Sequence, residues 1–138
     1  MLEAAVEGLS EGAAGREAGV LAVTVLTSLD HDALREVGIG ESPGRLTSKM
    51  ARLAAETGCE GVVCSPMELG VVSTVAPDLV MVTPGIRPPG SAQHDQKRVA
   101  TPAEALEGGA DLLVIGRPIT GSSDPVAAIR RIVGDMGW

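Results

Sequence analysis

The chain has 138 residues, 44% of them hydrophobic and 21% charged, which supplies one domain with its own core and argues against disorder. A net charge of −7, a single Trp and no Phe or Tyr speak against a nucleic-acid reader, which needs a basic footprint or stacking aromatics. No apolar run reaches the ~20 residues that span a bilayer. The acidic opening MLEAAVEGLSEG also lacks the basic start of a secretory signal, so a cytoplasmic protein without membrane contact is expected.

Leu2–Glu17 has helical composition, with Leu2, Val6 and Leu9 near one face and Gly8, Gly12 and Gly15 weakening it. Val20–Thr27 is a β-branched run of strand length. A short helix is predicted at about Asp30–Val37, stopped by Gly38, and a stronger one from Ser42-Pro43 to about Thr57. The stripe of that helix reads Leu46, Met50, Leu53 and Ala54. Gly61–Cys64 is the next strand, and Ser65-Pro66 opens a helix in which Ser65 and Glu68 have capping-box spacing. Leu79–Val82 is a strand followed by a long loop, Thr83–Ala100. Thr101-Pro102 opens a helix with a capping box to Glu104, Leu112–Ile115 is the last strand, and Asp124-Pro125 opens a terminal helix carrying Val126, Ile129 and Val133.

Repeated strand, loop, cap and helix units mean parallel strands with crossover helices, an α/β architecture in a single domain over residues 1–138. Only four strands are readable, which is half of a (β/α)8 barrel of the usual ~250 residues. A complete small open sheet is the competing arrangement. The chain begins on a helix, as though cut inside a repeat, and half a barrel leaves two open sheet edges that are expected to drive association.

In a (β/α)8 barrel the functional site lies at the C-terminal ends of the strands, and phosphate is often held after strands 7 and 8. The stretch Val82–Arg117 fits that place. Gly116 after the last strand admits close approach of an anion, and Arg117 offers a forked guanidinium to pair with it. Arg87, Lys97 and Arg98 make the preceding loop basic against Asp95 alone, in a chain that is otherwise acidic, which favours an anionic ligand. The bland alternative is a turn glycine beside a surface charge. Cys59 and Cys64 read as buried thiols without further metal ligands, and His31 and His94 as surface residues.

TPGIRP at Thr83–Pro88, DQKR at Asp95–Arg98, TPAEAL at Thr101–Leu106 and DLLVIGRPIT at Asp111–Thr120 resemble the orotidine 5′-phosphate decarboxylase family, in particular its bacterial branch. LAVTVLTS at Leu21–Ser28 and GVVCS at Gly61–Ser65 match the same family in the same order. The resemblance implies a (β/α)8 barrel of which this chain is the C-terminal half, about strands 5–8. It implies conversion of orotidine monophosphate to uridine monophosphate and CO2 in pyrimidine synthesis, without metal or organic cofactor, in a homodimer. By motif, Thr27 falls where the family contacts the pyrimidine, Arg87 and Gln96 where its long loop closes over the nucleotide, and Gly116 and Arg117 on the phosphate-binding turn.

The family's catalytic centre, Asp-x-Lys-x-x-Asp beside a second Lys, has no counterpart in this sequence. Asp95-Gln96-Lys97 imitates its first half, but Ala100 stands where the second Asp belongs, and Lys49 is predicted on a helix face as a solvated charge. No catalytic residue is therefore assigned, and this chain by itself is expected to be inactive until a missing N-terminal half completes the barrel. Two other readings remain open at this level. One is a sugar-phosphate decarboxylase of the same superfamily, and the other a non-catalytic, nucleotide-binding half-barrel remnant.

Overall fold

Four short parallel strands form one sheet in the computed structural model, which describes residues 1–15, 17–89 and 97–137. They are β1 (Leu21–Val23), β2 (Gly61–Val63), β3 (Val80–Thr83) and β4 (Leu112–Leu113), neighbouring one another in chain order. Helix α1 (Leu2–Gly12) precedes β1, and α2 (His31–Glu36) and α3 (Pro43–Glu56) lie between β1 and β2. A 3-10 turn (Pro66–Glu68) runs into α4 (Leu69–Val75) before β3. Then α5 (Pro102–Glu107) precedes β4, and α6 (Arg117–Thr120) and α7 (Pro125–Asp135) follow it.

The four Pro-led starts are all capped by the residue before the proline. The side chains of Ser42, Ser65, Thr101 and Asp124 each accept a backbone N–H from the first turn. At Thr101 the capping box is complete, because Glu104 returns its carboxylate to the Thr101 N–H at 2.8 Å. These hydrogen bonds, from the backbone first and then from the hydroxyl, hold the Glu104 carboxyl below its ordinary pKa. The contribution is thus complete above the ordinary carboxylate range and is lost as pH falls through the lowered value. Thr101→Ala is expected to cost about 1 kcal/mol in a urea titration at neutral pH, and the gap from wild type should narrow in acid.

The expected box at Ser65 does not form. Glu68 turns its carboxylate to Arg98 instead, and only the Ser65 cap remains, accepting from the Met67 N–H at 3.1 Å. Charge pairing in a buried place outweighs a local backbone bond.

Helices cover one face of the sheet. Ala22, Val62 and Met81 point into a core closed by Ala51 and Ala54 of α3, Leu69 and Val72 of α4, and Ala105 of α5. Small residues at those helix positions let the helices approach closely. Two of the stripes read from sequence therefore shift. On α3 the buried line is Thr47, Ala51 and Ala54, and Leu53 is exposed. On α7 it is Ala128 and Ile132, while Val126 and Ile129 face outward. The opposite sheet face carries one apolar row, Val23, Val63, Val82 and Leu112, aligned across the four strands. Its two ends, Val23 and Leu112, are more than half exposed.

The strands are shorter than the apolar runs suggest, for a reason that bears on function. After Val23 the backbone leaves the ladder: Thr24 still bonds Val63, but the carbonyls of residues 25–27 turn to residues 97 and 98. Helix α6 was not expected. It is one turn formed where Gly116 and Pro118 bend the chain away from β4.

Candidate functional site

The C-terminal ends of the strands gather most of the buried polar residues among those described. Thr24 and Thr27 follow β1, Ser65 and Glu68 follow β2, Thr83 and Arg87 end and follow β3, and Arg98 returns from the long loop. Most buried polar groups in proteins are hydrogen-bonded, and here the bonding joins different strand ends. The Arg98 guanidinium forms an ion pair with Glu68 at 2.5 Å and donates to the carbonyls of Val25 at 3.0 Å and Leu26 at 2.8 Å. The N–H groups of Lys97 and Arg98 donate to the Thr27 carbonyl at 3.2 and 3.3 Å.

Gly85 sits against the same knot with φ of +83°, and a Cβ there would lie 2.8 Å from the Arg98 carbonyl oxygen and 3.3 Å from the Thr27 methyl. Only glycine adopts that conformation with that clearance. Arg87 is buried beyond it. Its N–H donates to the Ala100 carbonyl at 2.9 Å, and its Nη1 to the Ile86 carbonyl at 2.7 Å. The two feet of the long loop are thereby paired, with Ile86 and Ala100 forming a parallel bridge.

Gly116 and Arg117 lie one strand over and are exposed at the start of α6, beyond a ladder bond from the Val114 N–H to the Thr83 carbonyl. A Cβ on Gly116 would meet nothing within 4 Å, so the space above this turn is open. Of the residues singled out in sequence, Thr27 and Arg87 stand in the knot at the strand ends, and Gly116 and Arg117 stand on the neighbouring strand end. Gln96 lies outside the described residues, as do Asp95 and His94.

The basic character assigned to the long loop is corrected here. Lys97 pairs with Asp30, the N-cap of α2, at 2.7 Å, and Arg98 is buried against Glu68. The hydrogen bond between them lowers the Asp30 pKa, helped by the Ala33 N–H, and raises that of Lys97. Two of the three cations read as a field for an anion are thus balanced by acids from other strand ends. Arg87 is buried at the loop foot and Arg117 is exposed at the start of α6. Lys49, as expected, is an exposed helix charge, paired with Glu41.

Both cysteines are buried free thiols, and no cluster that could hold a metal ion occurs among the described residues. Burial, and then the Glu68 charge, push the Cys64 thiol up to about 11, against a hydrogen bond to Thr83 and the charge of Arg98. At pH 8 only about one such thiol in a thousand is ionised. Ellman's reagent should therefore leave Cys64 unmodified in the folded chain and react with it in urea. Rapid labelling without denaturant would contradict this.

The comparisons decide the family. The profile of the orotidine 5′-phosphate decarboxylase / HUMPS family matches residues 1–132. The chain belongs to that family.

Among curated relatives, the orotidine 5′-phosphate decarboxylase of Anaeromyxobacter sp. (strain K) is 49% identical over 137 residues, spanning 99% of this chain and 58% of that protein. That of Moorella thermoacetica is 52% identical over 141 residues, spanning 99% of this chain and 56% of the relative. The chain thus spans somewhat over half the length of the decarboxylases it matches. The crystal structure of the Lactobacillus acidophilus orotidine 5′-phosphate decarboxylase superposes with a TM-score of 0.79 at 36% identity, over the whole of this chain and 58% of that one. The Sulfolobus solfataricus enzyme, at 19% identity and a TM-score of 0.64, shares the fold. Four consecutive parallel units matching that share of a family member make the sheet half of a (β/α)8 barrel, so the open-sheet alternative falls. Among the described residues, no helix is long and apolar enough to cross a membrane.

Proposed function

We propose that this chain is the nucleotide-gripping part of an orotidine 5′-phosphate decarboxylase, which converts orotidine monophosphate to uridine monophosphate and CO2. The observation that carries the reading is the placement of Thr27, Arg87 and the Gly116-Arg117 turn together on the C-terminal side of one sheet. That is the side where (β/α)8 enzymes bind substrate, with phosphate after the last two strands. In this reading Arg117 pairs with the phosphate through its fork, the open space over Gly116 receives the phosphate oxygens, and Thr27 faces the pyrimidine. Arg87, with Gln96, belongs to the loop that closes over the nucleotide.

The role of such a half is binding energy remote from the reacting carbon. An enzyme that uses a phosphate as a handle directs that energy to the transition state, so the grip contributes to rate although it moves no proton. The 138 residues contain no Asp-x-Lys-x-x-Asp run, and proton transfer is assigned to residues that this sequence does not hold. The exposed ends of the apolar row, Val23 and Leu112, are then barrel interior, covered when the remaining strands are present. A homodimer belongs to the same reading, and sedimentation of the completed barrel tests it.

The experiment joins this chain to the strands that precede the matching segment in the Moorella thermoacetica relative and measures release of CO2 from orotidine monophosphate. The joined protein is expected to turn over, this chain alone is not, and Arg117→Ala in the joined protein should lower kcat/KM by about a hundredfold or more. Turnover by the 138-residue chain alone, or an unaffected Arg117→Ala variant, would contradict the reading.

A further inference from the structure

Three successive carbonyls after β1, those of Val25, Leu26 and Thr27, are all taken by residues 97 and 98. Two of these acceptors are held by one guanidinium, whose remaining arm is fixed by Glu68 from the strand-end turn of β2. Arg98 also presents its own carbonyl to Gly85, at the other foot of the long loop. One buried ion pair therefore ties together the ends of β1 and β2, packed against the loop foot that follows β3. Glu68 and Arg98 are each less than a tenth exposed.

We propose that Glu68 and Arg98 are positioning residues for the nucleotide: the pair fixes residues 97 and 98 against the backbone of Val25, Leu26 and Thr27, so that the pyrimidine contact at Thr27 rests on a rigid base. This rests on the nucleotide reading above. The physical ground is that a buried guanidinium held at one nitrogen by two backbone carbonyls and at the other by a carboxylate is confined to few geometries, whereas a surface charge pair samples many. A site held to within a fraction of an ångström binds far better than one whose support is loose.

A buried ion pair also has a bland role, that of holding the fold together, and the test must separate the two. Removing both charges does so, because replacing a buried pair by apolar residues of similar size is often neutral for stability. The Glu68→Met/Arg98→Met double variant is therefore expected to keep its fold while losing the grip on Val25 and Leu26. Binding of uridine monophosphate is measured by calorimetry on the full 138-residue chain, for wild type, Glu68→Gln, the double variant and Asp30→Asn. Asp30→Asn retains its capping oxygen and breaks only the exposed pair with Lys97. In parallel, trypsin cleavage after Arg98 is timed by mass spectrometry in wild type and Glu68→Gln, both of which retain that arginine.

The expected result is a loss of affinity of about tenfold or more in Glu68→Gln and in the double variant, with Asp30→Asn unchanged. Cleavage after Arg98 should be faster by a similar factor in Glu68→Gln. Recovery of both stability and nucleotide affinity in the double variant would reduce the pair to a structural role and overturn the proposal. So would wild-type affinity in Glu68→Gln. If the wild-type chain binds no uridine monophosphate, the nucleotide reading itself fails, and the positioning role falls with it.

Discussion

Arg98→Met alone is expected to lower the free energy of unfolding by about 3–5 kcal/mol in a urea titration. The substitution leaves the Glu68 carboxylate buried with no cation beside it, and the Val25 carbonyl loses the guanidinium that donates to it, while the Leu26 carbonyl keeps only the Leu29 N–H. Each uncompensated group carries its own desolvation cost. Such a loss is a large share of the stability of any domain this size. The double variant with Glu68→Met should recover most of it, because the unpaired charge is gone. If Arg98→Met changes the midpoint by less than the equivalent of about 1 kcal/mol, the pair behaves as a solvated surface bridge, and its burial is not what the geometry implies.

Gly85→Ala carries the second large effect, about 2–4 kcal/mol, from two sources that add. The backbone there has φ of +83°, a left-handed conformation in which a Cβ is strained. The same Cβ would press on the Arg98 carbonyl oxygen at 2.8 Å, which is backbone and cannot swing away. Relief requires one loop foot to move from the other, which breaks the bond from the Ala100 N–H to the Gly85 carbonyl. Thermal unfolding with the midpoint converted to free energy checks the magnitude. Gly40→Ala, at a position with open space and no left-handed φ, is the reference substitution and should be close to neutral.

Much of this architecture is legible in the chain because its local signals agree. The Pro-led caps at Ser42, Ser65, Thr101 and Asp124 locate four starts, and all four caps form. Parallel pairing follows from the alternation of short β-branched runs with helices, and the family from ordered motifs such as TPGIRP and DLLVIGRPIT. What was not legible is tertiary. Glu68 stands three residues after a capping serine, so its local reading is a box. Nothing nearby in sequence announces a partner 30 residues on. Arg98, in a run with Lys97, reads as loop charge until the fold brings it under the end of β1. The helix stripes erred in part for a related reason. Of the stripe read on α3, Ala54 is buried as expected, but Leu53 faces outward and Thr47 and Ala51 are buried instead; on α7 the small Ala128 is buried with Ile132, while Val126 and Ile129 are outward.

The site is legible to the same extent. Thr27, Arg87, Gly116 and Arg117 are found at strand ends, where the family motifs put them. The electrostatics differ from the sequence reading. The loop is not a basic field, since Lys97 and Arg98 are each matched by an acid. In the proposed reading, an anion at the Gly116 turn would depend on specific contacts, with Arg117 foremost, more than on the general charge of the segment.

The most direct test is a calorimetric comparison of uridine monophosphate and uridine on the 138-residue chain and on its Arg117→Ala variant. The two ligands differ only in the phosphate. The strand-end geometry predicts that uridine monophosphate binds, that uridine binds at least about a hundredfold more weakly, and that Arg117→Ala removes most of that difference. Equal affinity for the two ligands, or an undiminished preference for the phosphate form after Arg117→Ala, would contradict a phosphate site at the end of β4.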